Sequence, residues 1–286
     1  MIKYVVIGDP VSHSRSPGMQ NAAFEAAGMG RPYGRKHVPQ ESIGSFVEYA
    51  RNNLLGVNIT VPDKEVVIPH LDEIDPAAAR CQSVNTLVIR NGIVKGYSTD
   101  GYGLEHAVLE NFGIAVKRND FCFVGCGGAC RAAACHMAEY GARKIFLVNR
   151  TLAKAQSIAR IIQQDFPACE VTVMQPDDKP ALAAAISSSS VLIQSTSLGL
   201  KEDDPAPFDL ALLENNPEIC VFDTIYKNTK LLQYCKASGM KHAGGRAMLI
   251  HQGAASFRLW TGIEPDLDAM NRGFDITPVS CGDGEE

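Results

Sequence analysis

The sequence predicts an α/β protein built as two domains, and three observations carry that expectation. Strand-like apolar runs alternate with amphipathic stretches along most of the chain, the pattern of a mostly parallel, doubly wound sheet. Near the middle, Phe121-Cys-Phe-Val-Gly-Cys-Gly-Gly-Ala-Cys-Arg-Ala132 reads as a strand, a glycine turn and an alanine-rich helix. In the first half, Asn91-Gly92 stands between two β-favouring runs and signals a hairpin, which makes that sheet a mixed one. A length of 286 residues suits two modest domains.

Tyr4-Val-Val-Ile-Gly8 is the expected first strand. Ser16-Pro17 then marks a helix start, with serine as N-cap and proline at the first helical position, and the helix runs to Ala27 before Gly28. Strands are expected at 33–38 and 55–60, with an amphipathic helix at 41–52 between them. A helical stretch is expected after Lys64, then an alanine-rich segment at 75–80 and hairpin strands at 84–90 and 93–98. Thr99-Asp100-Gly101 begins a helix toward Phe112. After the central glycine turn, the helix ends at Gly141, a fitting C′ residue, and Lys144-Ile-Phe-Leu-Val148 is a buried strand. Alternation continues with a helix at 152–164, strands at 171–173, 191–194 and 220–223, and a helix at 181–187. A last helix begins at Arg246 and ends near Trp260-Thr-Gly262, and 280–286 is expected to fray.

Composition narrows the function classes. A net charge of −5 and a single short basic cluster, Arg31 to His37, argue against a nucleic-acid surface. The first eight residues are too strand-like for a signal peptide, and no apolar run is long enough to span a bilayer, so a cytoplasmic protein with neither membrane nor nucleic-acid partners is expected. Nine cysteines, an odd number scattered through strands and helices, fit reduced thiols rather than a disulfide framework, and their spacing is not that of a zinc site; no metal is expected. Cys126 and Cys130 stand near a helix N-terminus, where some acidity is expected.

The turn Gly125-Cys126-Gly127-Gly128 has the chemistry of an anion site: glycines let the backbone bend and approach a ligand, and helix N–H groups point outward. Many such turns bind nothing, so context decides. The βαβ unit is complete, and the position that would carry an acid for a ribose 2′-hydroxyl reads Asn149-Arg150-Thr151, with Lys154 a turn later. A carboxylate repels a 2′-phosphate, whereas a guanidinium grips one through two hydrogen bonds, which favours NADP over NAD. The plainer alternative makes Arg150 a solvated charge, although cations at a helix start are unfavourable without an anion. Ser14, Ser16 and Asp100 have equally plain readings as loop or cap residues.

Five segments together resemble the shikimate dehydrogenase family along almost the whole chain. They are Ser14-x-Ser16-Pro17; Asn58-x-Thr60-x-Pro62-x-Lys64; Val84-Asn85-Thr86 with Thr99-Asp100-Gly101; the turn from Gly125 to Ala132 with Asn149-Arg150-Thr151; and Met248-Leu-x-x-Gln252 leading to Trp260-Thr-Gly262. The resemblance implies a substrate domain at 1–101, completed by helices from 246–286, and a Rossmann-type NADP-binding domain at 102–245, with a cleft between them. It implies reduction of 3-dehydroshikimate by NADPH, with Lys64 as the catalytic residue paired with Asp100. Ser14, Ser16, Thr60, Asn85, Asp100 and Gln252 would hold the substrate's carboxylate and hydroxyls, and Tyr226 would face the cleft. Gly125, Cys126, Gly127, Gly128, Ala129 and Cys130 would take the pyrophosphate, Asn149, Arg150, Thr151 and Lys154 the 2′-phosphate, and Thr224 and Gly245 the nicotinamide side. A small-molecule substrate and a monomer or homodimer complete the expectation.

The chain departs from the family pattern at Gln20, where most members have histidine, at Gln194 for a common asparagine, at Ala247 for a common glycine, and in the short Tyr226-Lys-Asn-Thr229 segment. Met19-Gln20-Asn21 is similar to the quinate/shikimate branch, so a dehydrogenase of quinate or of an amino-substituted relative is the near alternative. A silent NADP-binding regulator is the distant one, and Lys64 and Asp100 argue against it.

Overall fold

A computed structural model describes residues 2–276, which form two compact units. Among the described residues the first comprises 2–75, 84–99 and 253–276, the second 76–83 and 100–252. The tail expected to fray at 280–286 lies outside the described residues.

In the first unit, β1 (Tyr4–Gly8) lies between β2 (Tyr33–His37) and β3 (Gly56–Ile59), parallel to both. The sheet then continues antiparallel through β5 (Thr86–Arg90) and β6 (Ile93–Tyr97), with β4 (Glu73–Ile74) along its far edge, giving the order β2-β1-β3-β5-β6-β4. Asn91 and Gly92 take φ of 52° and 77°, the left-handed pair that a two-residue hairpin turn demands. Helices α1 (Ser16–Ala26) and α2 (Ile43–Asn53) follow β1 and β2, as crossovers between parallel strands require. The stretch after Lys64 is turn and a short 3-10 segment at Ile68–His70 rather than a helix, Pro69 being unable to donate into one. The last turns of α9 (Arg246–Thr261) bring Phe257 and Trp260 onto this sheet, where tilted ring pairs form between Phe24 and Phe257 at 4.8 Å and between Tyr4 and Trp260 at 5.1 Å.

In the second unit, all the strand pairs are parallel, in the order β12-β11-β10-β7-β8-β9. The strands are β7 (Asp120–Val124), β8 (Lys144–Val148), β9 (Glu170–Met174), β10 (Val191–Gln194), β11 (Cys220–Asp223) and β12 (His242–Gly244). Each central strand is apolar on both faces because both are covered. Phe121 and Phe123 pack with Leu104, Met137 and Ile158 from α4 (Asp100–Phe112), α5 (Gly128–Glu139) and α6 (Leu152–Asp165). Cys122 and Val124 pack the other way, with Leu182 and Leu231 from α7 (Lys179–Ser188) and α8 (Lys230–Ala237). The chain winds outward through β8 and β9, then returns to start β10 beside β7, so the strand order reverses between β7 and β10. In such sheets the C-terminal side of that reversal is where ligands bind. The elements not expected include β4, α3 (Pro76–Cys81), the short β12, and α8 and α10 (Leu267–Asp275), the last two each started by a side chain, Thr229 or Asp266, that accepts a backbone N–H.

The indole N–H of Trp260 donates to the Leu87 carbonyl at 2.9 Å, and its ring lies against Gly56 so closely that a Cβ there would overlap it. Gly56→Ala should therefore destabilise the first unit by about 1–3 kcal/mol, the usual cost of overpacking. Trp260 is the only tryptophan, so its emission during urea unfolding reads this directly. An unchanged midpoint would contradict the contact.

Candidate functional site

The turn expected to bind an anion stands at the strand reversal of the second unit. β7 is followed by Gly125, whose φ of +101° is open to glycine at little cost, and a Cβ there would meet the Ser195–Thr196 backbone at under 3 Å. Gly127 is the N-cap of α5, in extended conformation; no side chain caps the helix, and a Cβ on Gly127 would point into open space. The backbone N–H groups of Gly128, Ala129 and Cys130 are thus offered in the first turn with room in front of them. This fits a pyrophosphate. Asn149 lies behind the turn: its Oδ1 accepts the Cys126 N–H at 3.1 Å, and its amide donates to the Thr151 carbonyl at 2.9 Å. Arg150, Thr151 and Lys154 are exposed at the start of α6, where two cations face the positive end of a helix and gain from an added phosphate.

Along the same edge, Thr224 follows β11, and Gly245 packs so tightly on its carbonyl that no side chain fits. Tyr226 is exposed on the loop to α8. Asp100 opens α4, and Gly103, one turn later, lies against Met248 and Gln252 of α9 with no room for a Cβ. Asp100 and Gln252 therefore belong to one packed helix pair in the second unit, both buried.

The remaining expected substrate residues belong to the first unit. Thr60 follows β3 and leads into the turn that bears Lys64, which is half-buried. The Lys64 carbonyl accepts the Val84 N–H at 2.8 Å, tying this turn to the strand entry where Asn85 stands. Asn85 is fixed by a buried polar network. Its Oδ1 accepts the Thr99 N–H at 2.8 Å, and its amide donates to the Thr99 hydroxyl at 2.9 Å. Asn58 joins in, accepting from the Tyr33 hydroxyl at 2.7 Å and donating to Ser256 at 3.0 Å. Ser14 and Ser16 stand at the start of α1. Here the expectation of a Ser16 cap is corrected: Arg15 occupies the N-cap, Ser16 is the first helical residue, and the Ser14 hydroxyl accepts the Ser16 N–H at 3.3 Å. Proline is tolerated throughout the first turn, whose N–H groups have no intrahelical acceptor, so the helix can start one residue earlier than expected, with Pro17 second.

Two buried carboxyls adjoin the expected site residues, Asp63 beside Lys64 and Asp223 beside Thr224. Asp63, beside Lys64, has both oxygens buried outside hydrogen-bonding geometry; burial and then the Asp9 carboxylate push it up, with a smaller opposing effect from Gln40. Asp223, at the end of β11, accepts the Thr229 hydroxyl at 2.7 Å and the Ile225 N–H at 2.9 Å. Burial nonetheless pushes it up from 3.8 to about 6. An acid at the boundary of an apolar strand and a Thr-rich loop was the available signal. The acidity expected near the turn is also corrected at Cys130, whose thiol burial pushes well up; all eight described cysteines are buried. Among the described residues no helix is long and apolar enough to cross a membrane.

Comparison with known proteins covers nearly the whole chain. Residues 6–87 match a family model for the shikimate dehydrogenase substrate binding domain, 107–203 one for shikimate / quinate 5-dehydrogenase, and 245–272 one for the shikimate 5'-dehydrogenase C-terminal domain. A shikimate dehydrogenase (NADP(+)) from Symbiobacterium thermophilum is 36% identical over 93% of this chain and 90% of its own length. The crystal structure of a shikimate dehydrogenase in complex with NADP+ is 33% identical, with a TM-score of 0.86 over 96% of this chain and 94% of that one. Quinate dehydrogenase from Corynebacterium glutamicum, in complex with NAD, is 29% identical, with a TM-score of 0.85 over 96% of this chain and 98% of that one.

Asp223 makes a pH-dependent contribution to stability. Its folded pKa lies above the unfolded value of 3.8, so the contribution is complete below that value and is lost as pH rises through about 6. A difference of that size corresponds to about 3 kcal/mol. Between about pH 3.5 and 7, the unfolding free energy of Asp223→Asn relative to the unsubstituted protein should therefore improve by about that amount. A difference that stays constant with pH, measured by urea unfolding, would contradict the buried, raised carboxyl.

Proposed function

The chain belongs to the shikimate dehydrogenase family, and from that premise we propose that it catalyses the reversible NADPH-dependent reduction of 3-dehydroshikimate to shikimate. The full-length likeness to a relative named for this activity with NADP(+) carries the reading. Bound NADPH supplies a hydride to the C3 carbonyl carbon, and negative charge grows on the carbonyl oxygen. Lys64 meets that charge with its ammonium and hands a proton to the oxygen, a role its half-buried place suits. Asp100 accepts from the substrate hydroxyl. Ser14, Ser16, Thr60, Asn85 and Gln252 hold the substrate's carboxylate and remaining hydroxyls, and Tyr226 shields it.

On the cofactor side, the turn from Gly125 to Cys130 takes the pyrophosphate, with Asn149 keeping that turn in shape. Arg150, Thr151 and Lys154 take the 2′-phosphate, and Thr224 and Gly245 flank the nicotinamide. We read the protein as cytoplasmic, acting on small molecules as a monomer or homodimer. A dehydrogenase of quinate, or of an amino-substituted relative, is the second reading; it is favoured by the likeness to the C. glutamicum enzyme and by Gln20, whose buried Oε1 finds no hydrogen-bond donor.

Lys64→Ala and Asp100→Ala should each lower kcat by about 10²- to 10⁴-fold, the range for a lost acid or base, while NADPH binding stays near that of the parent. Near-normal turnover in either would sink the assignment. Arg150→Ala should raise the KM for NADP+ by about 10- to 100-fold, as loss of a charge-assisted pair implies, and change the KM for NAD+ little. Equal effects on both cofactors would remove Arg150 from the 2′-phosphate.

A further inference from the structure

The loops after β10 and β11 are tied together by a buried network that none of the assigned roles uses. Gln194, the last residue of β10, is fully buried. Its Oε1 accepts the Thr196 N–H, and its amide donates to the Leu198 carbonyl at 3.0 Å and toward Asp223 Oδ1 at 3.4 Å. Asp223, equally buried, accepts from Ile225 and Thr229, and the Thr229 hydroxyl in turn accepts the Leu232 N–H at 3.3 Å to start α8. On the outside the same loops are clipped again: Lys227 donates to the Leu200 carbonyl at 2.8 Å, and Lys230 to the Asp204 carbonyl at 2.6 Å. At the other end, the Ser195 hydroxyl donates to the Gly125 carbonyl at 2.8 Å. A continuous chain of bonds thus runs from the glycine turn to the loop that bears Thr224 and Tyr226.

We propose that Gln194, Asp223 and Thr229 are positioning residues for the cofactor: they hold the two loops as one preformed edge, so that the glycine turn and the Thr224–Tyr226 loop meet the dinucleotide together. The proposal rests on the NADP-dependent reading above. Its physical basis is the choice of groups. An apolar pair of similar volume would fill the strand ends without desolvating a carboxyl and an amide, yet it would leave both loops untied. A fully satisfied polar network instead fixes one loop geometry before the ligand arrives, which lowers the ordering cost of binding and keeps the hydride donor aligned.

The test uses Gln194→Leu, Thr229→Val and the conservative Thr229→Ser in the full chain. It measures NADPH dissociation by fluorescence titration, KM and kcat with shikimate, and the thermal unfolding midpoint. Gln194→Leu and Thr229→Val should each weaken NADPH binding by at least about tenfold and lower kcat, leave the KM for shikimate within about twofold, and Thr229→Ser should restore binding to within about twofold. Folded Gln194→Leu or Thr229→Val protein that binds NADPH as the parent does would overturn the proposal. So would a parallel loss of shikimate affinity, or a Thr229→Ser variant as weak as the valine. If Gln194→Leu does not fold, the threonine pair decides alone. A parent protein that binds NADPH but does not oxidise shikimate would overturn the catalytic reading, and the NADPH affinities would still decide the positioning one. A parent that binds no NADPH would overturn both.

Discussion

The second unit depends on the way β7 stops. The strand has to end beside β10 in a backbone conformation of φ +101° with no side chain, or the Ser195–Thr196 backbone cannot lie against it. Once that condition is met, α5 starts uncapped, its first N–H groups face open space, and the sheet's reversal of strand order coincides with a preformed anion site. Asn149 reinforces the geometry by using its side chain on the Cys126 N–H, which leaves Arg150 and Lys154 as the groups turned outward. Charge, backbone and topology therefore agree on one class of ligand.

The first unit solves a different problem. Buried polar residues have to be held without solvent, at the ends of strands that are otherwise apolar. A hydrogen-bond network through Tyr33, Asn58, Thr86, Asn85, Thr99 and Ser256 does this, with distances from 2.7 to 3.4 Å. Satisfied networks of this kind rigidify a core at little net cost, whereas a half-satisfied one would destabilise it. Asp63, outside that network, is raised by burial first and by the Asp9 carboxylate second, against a smaller opposing effect from Gln40.

Most of the architecture is legible in the sequence, because it follows from signals that act locally. Alternation places β7 to β11, Asn91-Gly92 sets a hairpin, and Gly141 ends α5 with φ of +88°. Short elements escape: β12 has three residues and no apolar run, and α8 and α10 depend on caps that are visible only once Thr229 and Asp266 are seen accepting N–H groups. Of the candidate site, the glycine turn is readable from residue type alone. Ser14, Thr60, Lys64, Asn85 and Gln252 are not, since polar residues at loop starts look alike; only the resemblance singles them out. Gln194 and Asp223 were opaque for a further reason, as the contact between them joins two strand ends that are adjacent only in space.

The proposed activity requires a match between this chain and one pairing of substrate and cofactor. The most direct measurement is the initial rate of nicotinamide reduction by purified protein, followed by absorbance, with shikimate or quinate and with NADP+ or NAD+. The highest kcat/KM is expected for shikimate with NADP+, by at least about tenfold over any other pairing, as a lost charge-assisted contact would give. A preference for quinate or NAD+, or no turnover in any pairing while NADPH still binds, would contradict it.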